Sequence, residues 1–283
     1  MKLSGPDWLA PAKLNLFLHV VGRREDGYHL LQTAFTLIDR CDRLRLRVRD
    51  DGRIERVNLL SGVPPDRDLT VRAARLLQEA SGCSQGADIE LEKIIPMGGG
   101  LGGGSSDAAT VLMALDRLWG TALGSEALAE LARALGADVP YFLLGRPAWA
   151  EGIGDRLFPV EIAPRWYLVL VPPVAVPTGE IFGAAELTRN TEPLKIEDFS
   201  AQPRSSRFVN DLERVVTARY PAVKQHLEWL RQREAGARMT GSGACVFAEF
   251  ERRDDAEAVM RELPAPMQGF VAQGLREHPL GHQ

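Results

Sequence analysis

Residues 12–20 alternate with a period of two. Ala12, Leu14, Leu16, Leu18 and Val20 fall on one face; Lys13, Asn15, Phe17 and His19 fall on the other. A period of two predicts a strand, and it aims Lys13 and Asn15 the same way. Residues 44–49 alternate again, with Arg45, Arg47 and Arg49 on a face that reads as solvated, and residues 54–57 are expected to pair with them. Residues 87–94 give a third strand, and the continuous apolar run 166–171 a buried one closed by Pro172-Pro173. Helical patterns cover 69–80, 105 to about 119, and 125–135, the first stopped by Ser81-Gly82 and the last by Gly136. Further helices are expected from 177, from 210, over 221–233 and over 254–262. Residues 238–248 read as strand–turn–strand, 270–272 as a closing strand, and the polar stretch 190–207 as loop. Strands and helices are mixed with no regular strand–helix repeat, which predicts an α+β fold.

A chain of 283 residues predicts two domains, residues 1–160 and 161–283, divided near the stretch 158–165. Its net charge of −4 brings no general attraction to nucleic acid, and the strand arginines lack the interleaved aromatics of a nucleic-acid face. Cys41, Cys83 and Cys245 are scattered, with no C-x-x-C pair. That pattern indicates neither a zinc site nor a disulfide framework and suits a reducing cytoplasm. The strongest apolar run, 168–176, is broken by prolines and falls short of the roughly 20 residues that span a bilayer, so no membrane partner is expected.

The chemistry concentrates in residues 96–107, PMGGGLGGGSSD, where six of the seven positions 98–104 are glycine. Such a ribbon lets backbone approach a ligand closely. The helix that follows presents free N–H groups and a partial positive charge, which favour phosphate. A flexible linker is the plainer alternative, but the ribbon lies between a strand and an apolar helix. No lysine precedes the serines, so the G-x-x-x-x-G-K-[ST] phosphate loop is absent. Gly98, Gly100 and Gly103 match G-x-G-x-x-G, yet helix rather than a second strand follows. A nicotinamide dehydrogenase is therefore a poor fit. Ser242 lacks the G-x-S-x-G surroundings of a hydrolase nucleophile.

Three other features stand out on the residues alone. Lys13, on the same side as Asn15, reads from its strand alone as a solvated lysine on an open sheet face. Tyr28-His29, after the turn Asp26-Gly27, reads as a binding edge or as a core-capping ring beside a solvent-facing imidazole. Asp138 lies between two helices, where a carboxylate most often caps, and where a corner also aims it at the glycine ribbon.

Together, Pro11-Ala12-Lys13-Leu14-Asn15-Leu16, the ribbon 96–106 and Met239-Thr240-Gly241-Ser242-Gly243-Ala244-Cys245 resemble the GHMP kinase superfamily, in order along the whole chain. Asp26-Gly27-Tyr28-His29 and Gly136-Ala137-Asp138-Val139-Pro140 add to the likeness. The resemblance implies an N-terminal domain like domain 2 of ribosomal protein S5, a ferredoxin-like C-terminal domain, and an active site between them. It implies ATP on Pro96, Met97, Gly98, Gly99, Gly100, Leu101, Gly102, Gly103, Gly104, Ser105 and Ser106, with Lys13 and Asp138 as the catalytic pair. Mg²⁺ is expected to arrive with the nucleotide, held by few protein groups.

Within the superfamily, the Asp-Gly-Tyr-His stretch and the first strand point to the branch acting on a cytidine-diphosphate-linked methylerythritol. Other small-molecule acceptors (mevalonate, homoserine or a sugar) are the alternative. The resemblance then implies Asn15, Tyr28, His29, Thr178 and Phe182 around the substrate. Tyr28 and Phe182 would sandwich the cytosine and His29 would bond its edge. A monomer or weak homodimer is expected. One departure stands out: Asp68-Leu69 occupies a place where the superfamily branch usually has Asn-Leu near the adenine. An ionised carboxylate there only accepts hydrogen bonds, from the adenine amino group for instance.

Overall fold

The computed structural model describes residues 3–282 apart from 61, 65 and 66. β1 (Trp8–Arg23) and β2 (His29–Arg49) form a long antiparallel hairpin. The alternation in β1 suggests one open face, yet Lys13, Asn15, Phe17 and His19 are all buried. Bulges at Pro11/Ala12 and Asn15/Phe17 re-aim the side chains. Other elements then cover β1: the Ser106 hydroxyl donates to the Pro11 carbonyl, and the Asn15 amide to Thr240 Oγ1.

β3 (Ile54–Arg56) does not pair with residues 44–49 as its sequence suggests. It lies parallel to β4 (Gly86–Glu92), because β4 itself takes the place beside β2. Nor is the arginine face of β2 merely solvated. Arg49 meets Asp88 at 2.6 Å and Arg45 meets Glu90 at 3.5 Å, both across the strand pair, and Arg47 also binds Asp88.

α1 (Leu69–Ser81) ends at Gly82, whose φ of 65° suits glycine. α2 (Gly103–Trp119), α3 (Ser125–Leu135) and α4 (Val139–Leu144) follow. With α1 they cover one face of the sheet, burying Leu37, Ile89, Val111, Leu115 and Tyr141 in a common core. β5 (Ala148–Glu151) joins β2 and β6 (Arg156–Pro159).

The remaining elements are β7 (Trp166–Leu170), α5 (Thr178–Gly183), α6 (Ile196–Ala201), α7 (Glu213–Arg219), α8 (Pro221–Arg231), β8 (Arg238–Met239), β9 (Val246–Phe250), α9 (Arg253–Arg261) and β10 (Gly269–Leu275). α6 lies inside the stretch 190–207 that reads as loop. Phe199 pins it among Phe17, Trp149 and Phe208, and the half-buried Ile196 packs against the same core. Two large apolar positions in a six-residue helix are too short a pattern to read as a period.

The sheet runs β3-β4-β2-β10-β7-β9-β8. β10 is the join: Gly274 and Leu275 pair with β2, and Gly269–Gln273 with β7. A further core, with Leu14, Phe17, Leu101, Tyr167 and Phe247, lies between the two halves. This is the mixed α+β arrangement the pattern predicts. Among the described residues no helix is long and apolar enough to cross a membrane.

Candidate active site

A cavity of about 610 Å³ opens where β1, the start of α2, the Gly136–Asp138 corner, α5 and the turn 241–243 converge. Its floor is the glycine ribbon, from Pro96 through Ser105. Two glycines there answer definite demands. Gly100 has φ +76°, and a Cβ on it would lie 2.3 Å from the Thr240 carbonyl oxygen. Gly102 has φ +71°, and its Cβ would lie 2.7 Å from the Phe142 ring. The ribbon thus passes between the Thr240 turn and α4 with no space for side chains. Leu101, the one side chain among the glycines of 98–104, is buried as an anchor, and its carbonyl accepts from the Lys13 amide at 3.0 Å.

Gly102 is also the N-cap of α2, and no side chain caps the helix. The first-turn N–H groups of α2 are therefore directed at the cavity, lined there by Gly103, Gly104 and Ser105. Of the two serines expected at the phosphates, only Ser105 stands in the cavity wall. Ser106 is fully buried; its hydroxyl is committed to Pro11 at 2.6 Å and its amide to the Gly102 carbonyl at 2.9 Å. On a helix, consecutive side chains diverge by about 100°, so neighbours cannot share a face.

Beside the ribbon sits the ammonium–carboxylate couple. Lys13 Nζ lies 3.6 Å from Asp138 Oδ2 and donates to Asn15 Oδ1 at 2.5 Å. It is buried, with the Phe35 ring centroid 5.4 Å away. Asn15 in turn donates to Thr33 Oγ1 at 3.0 Å, which fixes its amide orientation. Asp138 is the N-cap residue of α4, but its side chain makes no capping hydrogen bond. The carboxylate is free to face Lys13 and the cavity. The chain reaches that corner through Gly136, which ends α3.

Under the ribbon lies a charge cluster that the sequence does not announce. Lys93 Nζ binds Asp42 and also Asp107 Oδ2, the latter at 2.8 Å. Asp42 further accepts the amides of Ile94 and Ile95 at 2.5 and 2.8 Å. Asp107 has no such support, and its Oδ1 is buried without a partner. Burial, with Asp42 adding to it, pushes the Asp107 carboxyl up to about 8 despite Lys93. Burial opposes the Lys93 charge, but the two carboxylates outweigh it and raise its pKa.

The sign of the pH effect follows. Folded Asp107 keeps a proton that the unfolded chain releases above about pH 4, so this group's contribution to stability declines as pH rises towards 8. Asp107→Asn is expected to flatten that decline. Melting temperatures of wild type and variant at pH 5 and pH 8 check it: the variant should gain on the wild type at the higher pH.

Elsewhere in the cavity, Thr178 Oγ1 lies 2.7 Å from Ser242 Oγ, and both line the wall, as does Phe182. Tyr28 does not reach Phe182. It stands at the tip of the β1–β2 hairpin, 61% exposed and outside the cavity wall. The tip is closed on itself by the Arg24 amide, which donates to the Tyr28 carbonyl at 2.7 Å. The ring beside Phe182 is instead that of His29, with centroids 5.1 Å apart. Asp68 has its oxygens engaged by protein: Oδ1 accepts from the Thr70 amide at 2.9 Å, capping α1, and Oδ2 pairs with Arg56 at 2.5 Å.

The chain matches the GHMP kinases N terminal domain over residues 68–146 and the GHMP kinases C terminal family over residues 188–269. It is 61% identical over 271 residues to a protein of Thiobacillus denitrificans named 4-diphosphocytidyl-2-C-methyl-D-erythritol kinase, covering 96% of each. The protein of the same name from Aromatoleum aromaticum is 56% identical over 274 residues, covering 97% of this chain and 95% of that one. A crystal structure of 4-(cytidine 5'-diphospho)-2C-methyl-D-erythritol kinase is similar with a TM-score of 0.83 at 38% identity, over 95% of this chain and 99% of the other. A mevalonate kinase structure is similar with a TM-score of 0.71 at 13% identity, over 96% and 100%, a likeness of fold.

Proposed function

The chain belongs to the 4-diphosphocytidyl-2-C-methyl-D-erythritol kinase family of the GHMP kinases, and from this we propose how its cavity performs that reaction. The γ-phosphoryl group of ATP passes to the 2-hydroxyl of 4-diphosphocytidyl-2-C-methyl-D-erythritol, leaving the 2-phosphate and ADP, in the non-mevalonate route to isoprenoid precursors. The observation that carries the assignment of residues is the Lys13–Asp138 couple beside an uncapped helix N-terminus and a glycine-rich ribbon, in one cavity.

Phosphoryl transfer is chiefly positioning and charge stabilisation. The backbone N–H groups of residues 98–105 and the α2 N-terminus hold the phosphate oxygens. Asp138 accepts the proton of the attacking hydroxyl. Lys13 holds that carboxylate in place and offsets negative charge as it develops on the transferred group. A loose transition state loses the alcohol proton late, so a carboxylate suffices as base.

Among the described residues no cluster of three or more His, Cys, Asp or Glu side chains forms a metal cage. This donor set fits Mg²⁺ carried by the nucleotide, with the Ser105 hydroxyl at hand, and the ion supplies charge neutralisation at the phosphates when bound. The free Cys41, Cys83 and Cys245 are in keeping with a cytoplasmic enzyme.

Asn15, Thr178, Phe182, His29 and Tyr28 hold the acceptor, Tyr28 swinging in from the exposed hairpin tip to meet the base opposite Phe182. Aromatic stacking contributes about 1–3 kcal/mol per base. Replacing both Tyr28 and Phe182 by Ala is therefore expected to raise KM for the cytidyl substrate roughly 10- to 100-fold and leave KM for ATP unchanged. Coupled ADP-release assays of the wild type with the cytidyl substrate, mevalonate and homoserine test the reading. Turnover confined to the first supports it, and efficient turnover of either other alcohol contradicts it.

A further inference from the structure

Phe182 and His29 come from opposite parts of the chain, yet one guanidinium joins them. Arg189 Nε donates to His29 Nε2 at 3.0 Å. Its Nη2 donates to the carbonyls of Phe182 and Ala184, at 3.1 and 2.5 Å, and its Nη1 to that of Leu187 at 3.0 Å. The segment bearing Arg189 is strapped to the β1–β2 hairpin just beyond it. The Thr191 amide donates to the Val20 carbonyl at 3.1 Å, and the Gln32 side chain brackets Leu194 with bonds of 3.0 and 2.8 Å. Little freedom is left for the guanidinium to swing away.

The chemistry of this contact is one-directional. A guanidinium only donates, so His29 Nε2 must accept. A neutral imidazole has one proton, and here it must sit on Nδ1. Burial, then the charges of Arg189 and of Arg23 at the end of β1, hold His29 below its ordinary pKa, so the ring stays neutral at physiological pH.

We propose that Arg189 is a positioning residue for the pyrimidine: it fixes His29 as the Nδ1–H tautomer and holds the Phe182 backbone beside it. Phe182 lines the cavity wall and His29 stands directly behind it, so a base stacked on Phe182 would find the Nδ1 proton of the neighbouring ring as a donor for one of its acceptors. The inference rests on the reading that His29 and Phe182 hold the cytidine, but its first test does not.

Histidine ¹⁵N resonances of the substrate-free wild type, with His29 assigned through His29→Gln, report the tautomer directly. A protonated Nδ1 and a bare Nε2 near pH 7 are expected, and a protonated Nε2 overturns the proposal. In Arg189→Met the ring should revert towards Nε2–H. KM for the cytidyl substrate should rise about five- to tenfold, while kcat and KM for ATP stay within about twofold. Arg189→Lys, a donor without the planar fork, should recover part of that loss. A wild-type tautomer and unchanged KM in Arg189→Met reject the idea. Failure of the wild type to turn over the cytidyl substrate would instead remove the functional reading and leave the tautomer result standing.

Discussion

Asp138→Asn is expected to lower kcat by about 10²–10⁴, the usual contribution of a positioned acid–base group, with KM for both substrates little changed. The substitution keeps volume and shape. It removes no capping hydrogen bond, because Asp138 makes none as the N-cap residue of α4. Lys13 keeps its bond to Asn15 when the 3.6 Å pairing with Asp138 is lost. The melting temperature should therefore stay close to the wild type, which separates loss of chemistry from loss of fold. Steady-state kinetics in both substrates give the answer. Near wild-type turnover would take Asp138 out of the proton-accepting role.

Gly100→Ala attacks the other half of the machinery. At φ +76° any other L-residue is strained by roughly 1–2 kcal/mol, and here the new methyl would also press within 2.3 Å of the Thr240 carbonyl oxygen. Neither wall yields cheaply, since both are backbone: the Cys245 amide already donates to the Gly99 carbonyl at 3.1 Å and the Gly243 amide to the Thr240 carbonyl at 3.0 Å. The ribbon must shift, and with it the amides that face the phosphates. Losing one charge-assisted amide contact corresponds to about 1.5–3 kcal/mol, so KM for ATP should rise about 10- to 100-fold.

Gly120→Ala is the control for that experiment. Gly120 has a similar φ of +63°, lies at the far end of α2, and a methyl added there would meet nothing within 4 Å. It should lose stability alone, with KM for ATP unchanged. Thermal melts and ATP titrations of the two variants distinguish local strain from a displaced phosphate floor.

Features legible in the sequence were those with local causes. The alternation of residues 12–20 announces β1, and the glycines of 98–104 with the apolar helix behind them announce the ribbon and α2. Asp138 could be noticed because a carboxylate at a helix corner is a short-range signal. What stayed hidden depends on distant partners. Asp42 reaches Lys93 across 51 residues and Arg189 reaches His29 across 160, and no periodicity encodes either. The solvated reading of Lys13 failed because β1 bulges and is covered on both faces. The division of labour between Ser105 and Ser106 is a matter of helix rotation, decided by where Pro11 lies. Asp68 carries the same lesson: its oxygens are claimed by Thr70 and Arg56, a partner visible only after β3 has paired with β4.

The most direct measurement is a crystal structure of the protein with the cytidyl substrate and a non-hydrolysable ATP analogue. It should place the triphosphate along residues 98–105, with the acceptor hydroxyl about 2.6–3.2 Å from an Asp138 oxygen. A triphosphate bound away from those residues, or a hydroxyl out of reach of Asp138, would contradict the account.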